Sequence, residues 1–171
     1  METKLPSRGK AEYLWRPLRK VILFLALISG LAALAMIVIT VTDIALRIGN
    51  SGITGAYDMV RIAAVISIVC SIPYVTAIKG HIAIEFFYHR FSRPGRLVLD
   101  TGFRLISLLL FALLIYHSIL YGLMLKASSQ VMPTLSIPVF WIPWLIASCF
   151  VLVCFTVVYH ILHPGKELIK P

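Results

Sequence analysis

Three side chains that can bind a metal ion or carry a proton recur at a regular spacing in the segment IKGHIAIEFFYHRFSRPGR, residues 78–96. His81, Glu85 and His89 are four residues apart, so on a helix they share one stripe. That stripe is about 12 Å long, whereas three zinc ligands must each lie about 2 Å from a single ion. The spacing therefore argues against a metal site.

The apolar residues of the same segment suit a different role. On a helix, Ile84, Phe87, Tyr88 and Phe91 gather on the side opposite the His–Glu–His stripe. A short helix with one apolar and one charged face lies in the plane of a membrane surface. We predict an interfacial amphipathic helix at 81–91, with no metal, cofactor or catalytic residue in it.

Two other histidines raise the question of haem, which needs axial ligands at matching depth on facing helices. His117 lies near the middle of an apolar stretch, while His160 lies at the end of another. On antiparallel helices the two differ in depth by about 15 Å. The sequence therefore predicts no haem and, more generally, no cofactor.

The composition is that of an integral membrane protein. The chain has 171 residues, of which 60% are hydrophobic and 13% charged, and its mean hydropathy is +0.93. Crossing the hydrocarbon layer takes about 20 apolar residues. Uncharged stretches of about this length occupy 21–41, 62–78, 105–125 and 139–159. We predict an all-α fold with four transmembrane helices in a single membrane domain.

The predicted elements follow from those stretches and their flanks. The first stretch is too long for the apolar core of a signal peptide, which has about 7–15 residues. The third has an apolar helical pattern that begins upstream of residue 105, so that helix is expected to tilt or project. We assign a tail at 1–20, helices at 21–41, 59–78, 97–125 and 138–160, the interfacial helix at 81–91, and a tail at 161–171.

The distribution of basic residues predicts the orientation. Of the 16 Lys and Arg residues, 13 lie in the two tails and the segment between the second and third helices. Cytoplasmic segments retain basic residues, so we predict that both termini are cytoplasmic. The net charge of +9 then reflects contact with anionic lipid head groups, and a nucleic-acid partner is not needed to explain it.

Small and aromatic side chains mark possible contact surfaces. Small residues let membrane helices approach closely, whether within this chain or with a partner. The candidate packing residues are Ala26, Gly30, Ala33, Ala63, Ser67 and Ser71. Aromatic rings beside basic residues or prolines suit the head-group layer. The candidate interfacial anchors are Trp15, Trp141 and Trp144.

The predicted membrane spans lack the groups that transport requires. Carriers coupled to ions bury charged or coordinating side chains near the middle of the bilayer. No Asp, Glu, Lys or Arg lies inside the uncharged stretches, and His117 is the one histidine at mid-depth in them. A supporting role is therefore favoured over transport by this chain itself. The loops are too short for a catalytic domain, so we predict no enzymatic activity.

Several motifs resemble the small membrane subunit, or Q component, of tripartite ATP-independent periplasmic (TRAP) transporters. The second apolar stretch runs into a Gly-His-Ile segment followed by an acidic residue, and VTDIALR, GAYDMVRI and TLSIPVFWIPW match other family positions. Members usually carry Glu where this chain has Asp58. Toward the C-terminus the match weakens. The family-motif residues are Arg47, Asp58, Pro73, Gly80, His81 and Glu85.

The resemblance implies a function in the bacterial inner membrane. TRAP systems take up organic acids with an ion gradient, usually of sodium, and a periplasmic binding protein delivers the solute. The large membrane subunit carries the solute and ion sites in a moving elevator domain, and the Q component supports its static scaffold. We expect Arg47 and Asp58 to lie near the external surface, where they either pair with each other or contact another subunit.

The alternative is a free-standing four-helix membrane adaptor or assembly protein with no transport role. The two interpretations differ in the partner they require. A TRAP component needs a large permease subunit as an obligate partner and contacts the binding protein transiently, whereas an adaptor needs neither.

Overall fold

The computed structural model describes residues 11–78 and 93–162, which form four helices. The helices are α1 (Ala11–Ile48), α2 (Ala56–Ala77), α3 (Arg93–Ala127) and α4 (Trp141–Leu162). Each includes a segment long and apolar enough to cross a membrane, and the described residues contain no β-strand beyond one isolated bridge. The predicted all-α fold with four membrane-spanning helices is confirmed. The segment predicted as an interfacial helix, 81–91, lies outside the described residues.

The outer helices are longer than the uncharged stretches from which they were predicted. Helix α1 has 38 residues and α3 has 35, which correspond to about 57 Å and 53 Å at the helical rise. The hydrocarbon layer is about 30 Å thick. Basic residues such as Arg19 and Lys20 are good helix formers, so α1 continues through residues that end its apolar stretch.

The four helices form an open row instead of a closed bundle. Helices α2 and α4 pack against each other in the middle, α1 packs on α2, and α3 packs on α4. In the described part of the chain, α1 and α3 form no packing interface with each other. Only 11% of the apolar segment of α1 and of α3 is buried, against 28% in α2 and 33% in α4. The row therefore presents wide apolar surfaces, mainly on its outer helices.

Two clusters of buried side chains hold the row together. In the middle, Val69 and Cys70 of α2 pack on Cys149 of α4, and α1 contributes Leu25 and Ile28. At the end where α1 begins and α4 ends, Ile22 and Ala77 form a second cluster that includes Trp15 and Tyr159. We call this the terminal end. The opposite loop end carries the connections 49–55 and 128–140.

The pairing of α2 with α4 can be tested through native cysteines. Cys70 and Cys149 belong to one buried cluster between α2 and α4, while Cys154 lies five residues further along α4. Mercury(II), which bridges two adjacent thiols, should form one bridge per chain. Mass spectrometry should show that Cys70→Ser or Cys149→Ser abolishes the bridge and that Cys154→Ser retains it. Loss of the bridge in Cys154→Ser alone would contradict this packing.

Candidate partner interface and the contacts that shape it

At the loop end, Asp58 links the α1–α2 pair of helices to the α3–α4 pair. It lies in the first turn of α2, where a negative charge is favoured by the helix dipole. Its Oδ2 accepts hydrogen bonds from the backbone N–H groups of Thr134 and Leu135, at 2.8 and 2.9 Å. The side chain is fully buried, at 0% exposure. One carboxylate of α2 thus holds the connection between α3 and α4.

The backbone that directly precedes α2, next to the contact made by Asp58, requires glycine. Gly55 precedes α2 with φ of 82°, in the left-handed region, which glycine adopts without steric cost. A Cβ at this position would lie 2.6 Å from Cδ2 of Leu135. The positive φ and the close approach of Leu135 both exclude larger residues, so Gly55 lets the α3–α4 connection lie directly on the start of α2.

The α3–α4 connection has its own internal hydrogen bonds. The N–H of Met132 donates to the carbonyl of Ile137 at 2.8 Å, and the N–H of Val139 donates to the carbonyl of Gln130 at 3.1 Å. Met132 is buried, at 1% exposure. The connection is therefore a small folded hairpin, and its tip is what Asp58 binds.

A second carboxylate fixes the other loop-end connection. Asp43 accepts a hydrogen bond from the backbone N–H of Ile53 at 2.9 Å and from Nε of Arg47 at 2.8 Å. The Arg47 side chain is 66% exposed. Arg47 therefore pairs with Asp43, one turn away on α1, and the pairing with Asp58 that the sequence offered as one possibility is not formed.

The candidate packing residues separate into internal contacts and open surface. Ser29 donates from its hydroxyl to the carbonyl of Ser67 at 2.7 Å, which joins α1 to α2, and Ala63 is buried. By contrast, a Cβ added at Gly30 would meet nothing within 4 Å. Ala26 and Ala33 are half-buried. Of the small face predicted on α1, Gly30 is thus not covered by any of the residues that the structure describes.

Helix α2 is continuous through Pro73, which is buried. Proline removes one hydrogen bond within the helix. The hydroxyl of Ser71 donates to the carbonyl of Ile68 at 2.7 Å, and that of Thr76 donates to the carbonyl of Ile72 at 2.9 Å. Hydroxyls that bond to their own helix in this way leave no unsatisfied donor facing lipid.

The predicted aromatic anchors lie at both ends of the row, half-buried. At the terminal end, Trp15 packs edge-on against Tyr159, with ring centroids 5.0 Å apart. At the loop end, Trp144 packs against Phe140 at 5.2 Å, and Nζ of Lys126 lies 5.8 Å from the centroid of each ring. Trp141 begins α4. That the three tryptophans lie in the head-group layer of a bilayer stays a prediction.

Helix α3 meets α4 closely at one glycine. A Cβ on Gly122 would lie 2.3 Å from Nε1 of Trp144 and 3.3 Å from the carbonyl oxygen of Phe140. At the other end of the same helix pair, Arg104 donates from Nη1 to the carbonyl oxygen of His160. The two helices are thus fixed near both ends.

Three family-motif residues, Gly80, His81 and Glu85, lie outside the described residues. The structural roles of Asp43, Gly55 and Gly122 were not expected from the sequence. Asp43 was visible as the charge that ends an apolar stretch and as part of the VTDIALR motif, but neither signal indicated its contact with Ile53. The contacts of Gly55 and Gly122 involve side chains far along the chain, and nothing local to either glycine indicates them.

Comparison with known proteins gives the family. No curated protein and no solved structure matches the chain. Residues 36–165 match the model of the DctQ component of tripartite ATP-independent periplasmic transporters. This match covers about the last third of α1 and all of α2, α3 and α4. The resemblance found in the sequence motifs is thereby confirmed, and the chain is a multi-pass membrane protein that belongs to the DctQ family of TRAP transporter components.

Proposed function

We propose that this chain is the scaffold subunit of a TRAP transporter in the bacterial inner membrane. In this proposal it supports the large elevator subunit during uptake of an organic acid, driven by an ion gradient, with sodium as the expected ion. A periplasmic binding protein delivers the solute and contacts the membrane complex transiently. Solute and ion sites belong to the large subunit.

The open row of helices is the observation that carries the proposal. A carrier that transports a solute through its own helices must enclose a polar site at mid-depth. Here α2 and α4 pack directly on each other through apolar side chains and cysteines. The outer helices instead leave large side chains such as Phe24, Leu34 and Leu109 at least 60% exposed. Such a row suits a helper that widens another subunit's footprint.

The proposed topology follows from the alternating helix directions. Four antiparallel crossings return the chain to the side from which it started, so both ends of the described row share the terminal end. Of the nine Lys and Arg residues in 11–78 and 93–162, six lie in the helix halves nearer that end, which supports a cytoplasmic location for both termini. The hairpin held by Asp58 then faces the periplasm, the side from which a binding protein approaches.

Co-purification tests the proposed function. The full chain, tagged at its C-terminus and expressed with its chromosomal neighbours, should retain a permease of roughly twelve spans after detergent extraction. Calorimetric titration of the purified chain alone should show no binding of sodium or organic acids. Recovery of the chain by itself, with micromolar binding of either ligand, would contradict the proposal and favour an independent membrane protein.

Reversal of the Arg47 charge separates structural from docking roles. Because Arg47 is largely exposed, its ion pair with Asp43 contributes at most about 1 kcal/mol. We expect Arg47→Glu to change the free energy of unfolding by no more than this amount. Uptake by the reconstituted transporter then measures the docking of the binding protein. We expect this uptake to fall while co-purification of the large subunit is unchanged. Normal uptake would show that Arg47 has no docking role.

A further inference from the structure

Helix α3 carries a polar side chain where lipid offers no partner. His117 lies two residues from the centre of the uncharged stretch 105–125, and it is exposed. Its ring contacts the neighbouring Tyr116, with centroids 5.5 Å apart, and neither of its ring nitrogens has a hydrogen-bond partner among residues 11–78 and 93–162. The side chain is too short to reach either membrane surface from this depth.

The surroundings of His117 form a continuous apolar surface. At about 100° per residue, eight exposed residues fall within about 60° of His117 around the helix axis, and together with it they define the His117 stripe: Phe103, Ile106, Leu110, Leu113, Leu114, Leu120, Tyr121 and Met124. The side of α3 that packs on α4 is different, and it carries Gly122 and Phe111. Residues 11–78 and 93–162 therefore leave the stripe uncovered.

A hydrogen-bonding group exposed to hydrocarbon is costly, because lipid tails neither donate nor accept. Polar side chains at mid-depth accordingly face other helices and bond across the interface. We propose that the His117 stripe is a docking surface for a transmembrane helix of a different polypeptide, which presents a hydrogen-bonding side chain or a free carbonyl at mid-depth. Given the proposed function, that polypeptide is the large transporter subunit.

A second copy of this chain fits the stripe less well. Two copies related by a two-fold axis would bring two imidazoles together, where one N–H can donate to one ring nitrogen. The other N–H and the other nitrogen would stay without partners in hydrocarbon. A helix of different sequence can instead offer both a donor and an acceptor.

A photo-cross-linking amino acid tests the surface itself. Leu120 and Ile119 are adjacent and almost equally exposed, at 44% and 43%, but Ile119 lies outside the stripe. In membranes that contain the whole transporter, a cross-linker at position 120 should form an adduct with a different polypeptide and one at position 119 should not. Equal adducts at both positions, a dimer of this chain, or no protein adduct would overturn the proposal.

Substitution of His117 tests the hydrogen bond. His117→Leu should lower the fraction of large subunit that co-purifies by about threefold to tenfold, the range expected for a hydrogen bond between membrane helices. His117→Asn, which keeps a donor and an acceptor, should restore part of it, and Ile119→Ala should have no effect. The isolated His117→Leu chain should unfold at the same temperature as the wild type, because no ring contact or hydrogen bond joins His117 to another of the four described helices.

The co-purification and cross-linking results test the docking role of His117 and the proposed scaffold function separately. Retention of the large subunit by His117→Leu at the wild-type level would overturn the docking role of His117 and leave the scaffold function intact. If the wild-type chain retains no large subunit, the proposed function fails, and an adduct at position 120 with another polypeptide would still support the stripe as a docking surface.

Discussion

Asp58→Ala should lower the free energy of unfolding by about 3 kcal/mol, one of the two largest losses that we expect from a single substitution. The carboxylate is fully buried and accepts two backbone hydrogen bonds from the α3–α4 hairpin. Hydrogen bonds to a charged group contribute about 1.5–3 kcal/mol, and removal of the acceptor leaves the N–H groups of Thr134 and Leu135 without this partner. Thermal unfolding in detergent, followed by tryptophan fluorescence, measures the loss.

Two controls identify the source of that effect. Asp58→Asn keeps an oxygen that can accept both hydrogen bonds but removes the charge, so its loss should be about half as large. Asp43→Ala removes one hydrogen bond from a loop and an exposed ion pair, so it should cost clearly less than Asp58→Ala. An Asp58→Ala chain that unfolds at the wild-type temperature would show that the hairpin is held by other contacts.

Gly122→Leu should separate α3 from α4 at the loop end. Because even a Cβ at this position would lie 2.3 Å from Nε1 of Trp144 and 3.3 Å from the backbone of Phe140, a leucine must displace the tryptophan or the helix. Overpacking of this kind costs about 1–3 kcal/mol and sometimes more. The same thermal unfolding measurement should show a loss in the upper part of that range.

Gly30→Leu is the matched control for this substitution. Both glycines lie inside long helices, but a Cβ at Gly30 meets nothing within 4 Å. Leucine is the better helix former by nearly 1 kcal/mol, so in the isolated chain Gly30→Leu should leave stability unchanged or raise it slightly. Equal destabilisation by both substitutions would contradict the close approach of α3 and α4 at Gly122.

The number and type of helices could be predicted from the sequence, because charged residues bracket stretches of membrane length. Their ends could not be read from the same signal. Arg19 and Lys20 end an apolar stretch, yet they continue α1, since a charged side chain costs a helix nothing once it reaches the aqueous layer. The order of the helices in the row was also not predictable, because hydrophobicity alone does not select neighbours among equally apolar helices.

The family motifs indicated which positions matter but not what they do. Asp58 was recognised by its place in a motif, and it was expected to pair with Arg47 or contact another subunit. Its actual partners are backbone groups at residues 134 and 135, whose N–H groups carry no signal in the sequence. His117 was singled out because it lies near the middle of the third apolar stretch. That it faces outward from the row became evident only from the packing of α3 on α4.

Our central claim is that this chain supports a transporter whose solute and ion sites lie in another subunit. Uptake of a radiolabelled organic acid by cells tests this claim most directly. Once the solute of the neighbouring binding protein is known, uptake should be measured with the full system, with this chain deleted, and with the chain restored from a plasmid. We predict that deletion abolishes sodium-driven uptake and that restoration recovers it. Undiminished uptake after deletion would contradict the claim.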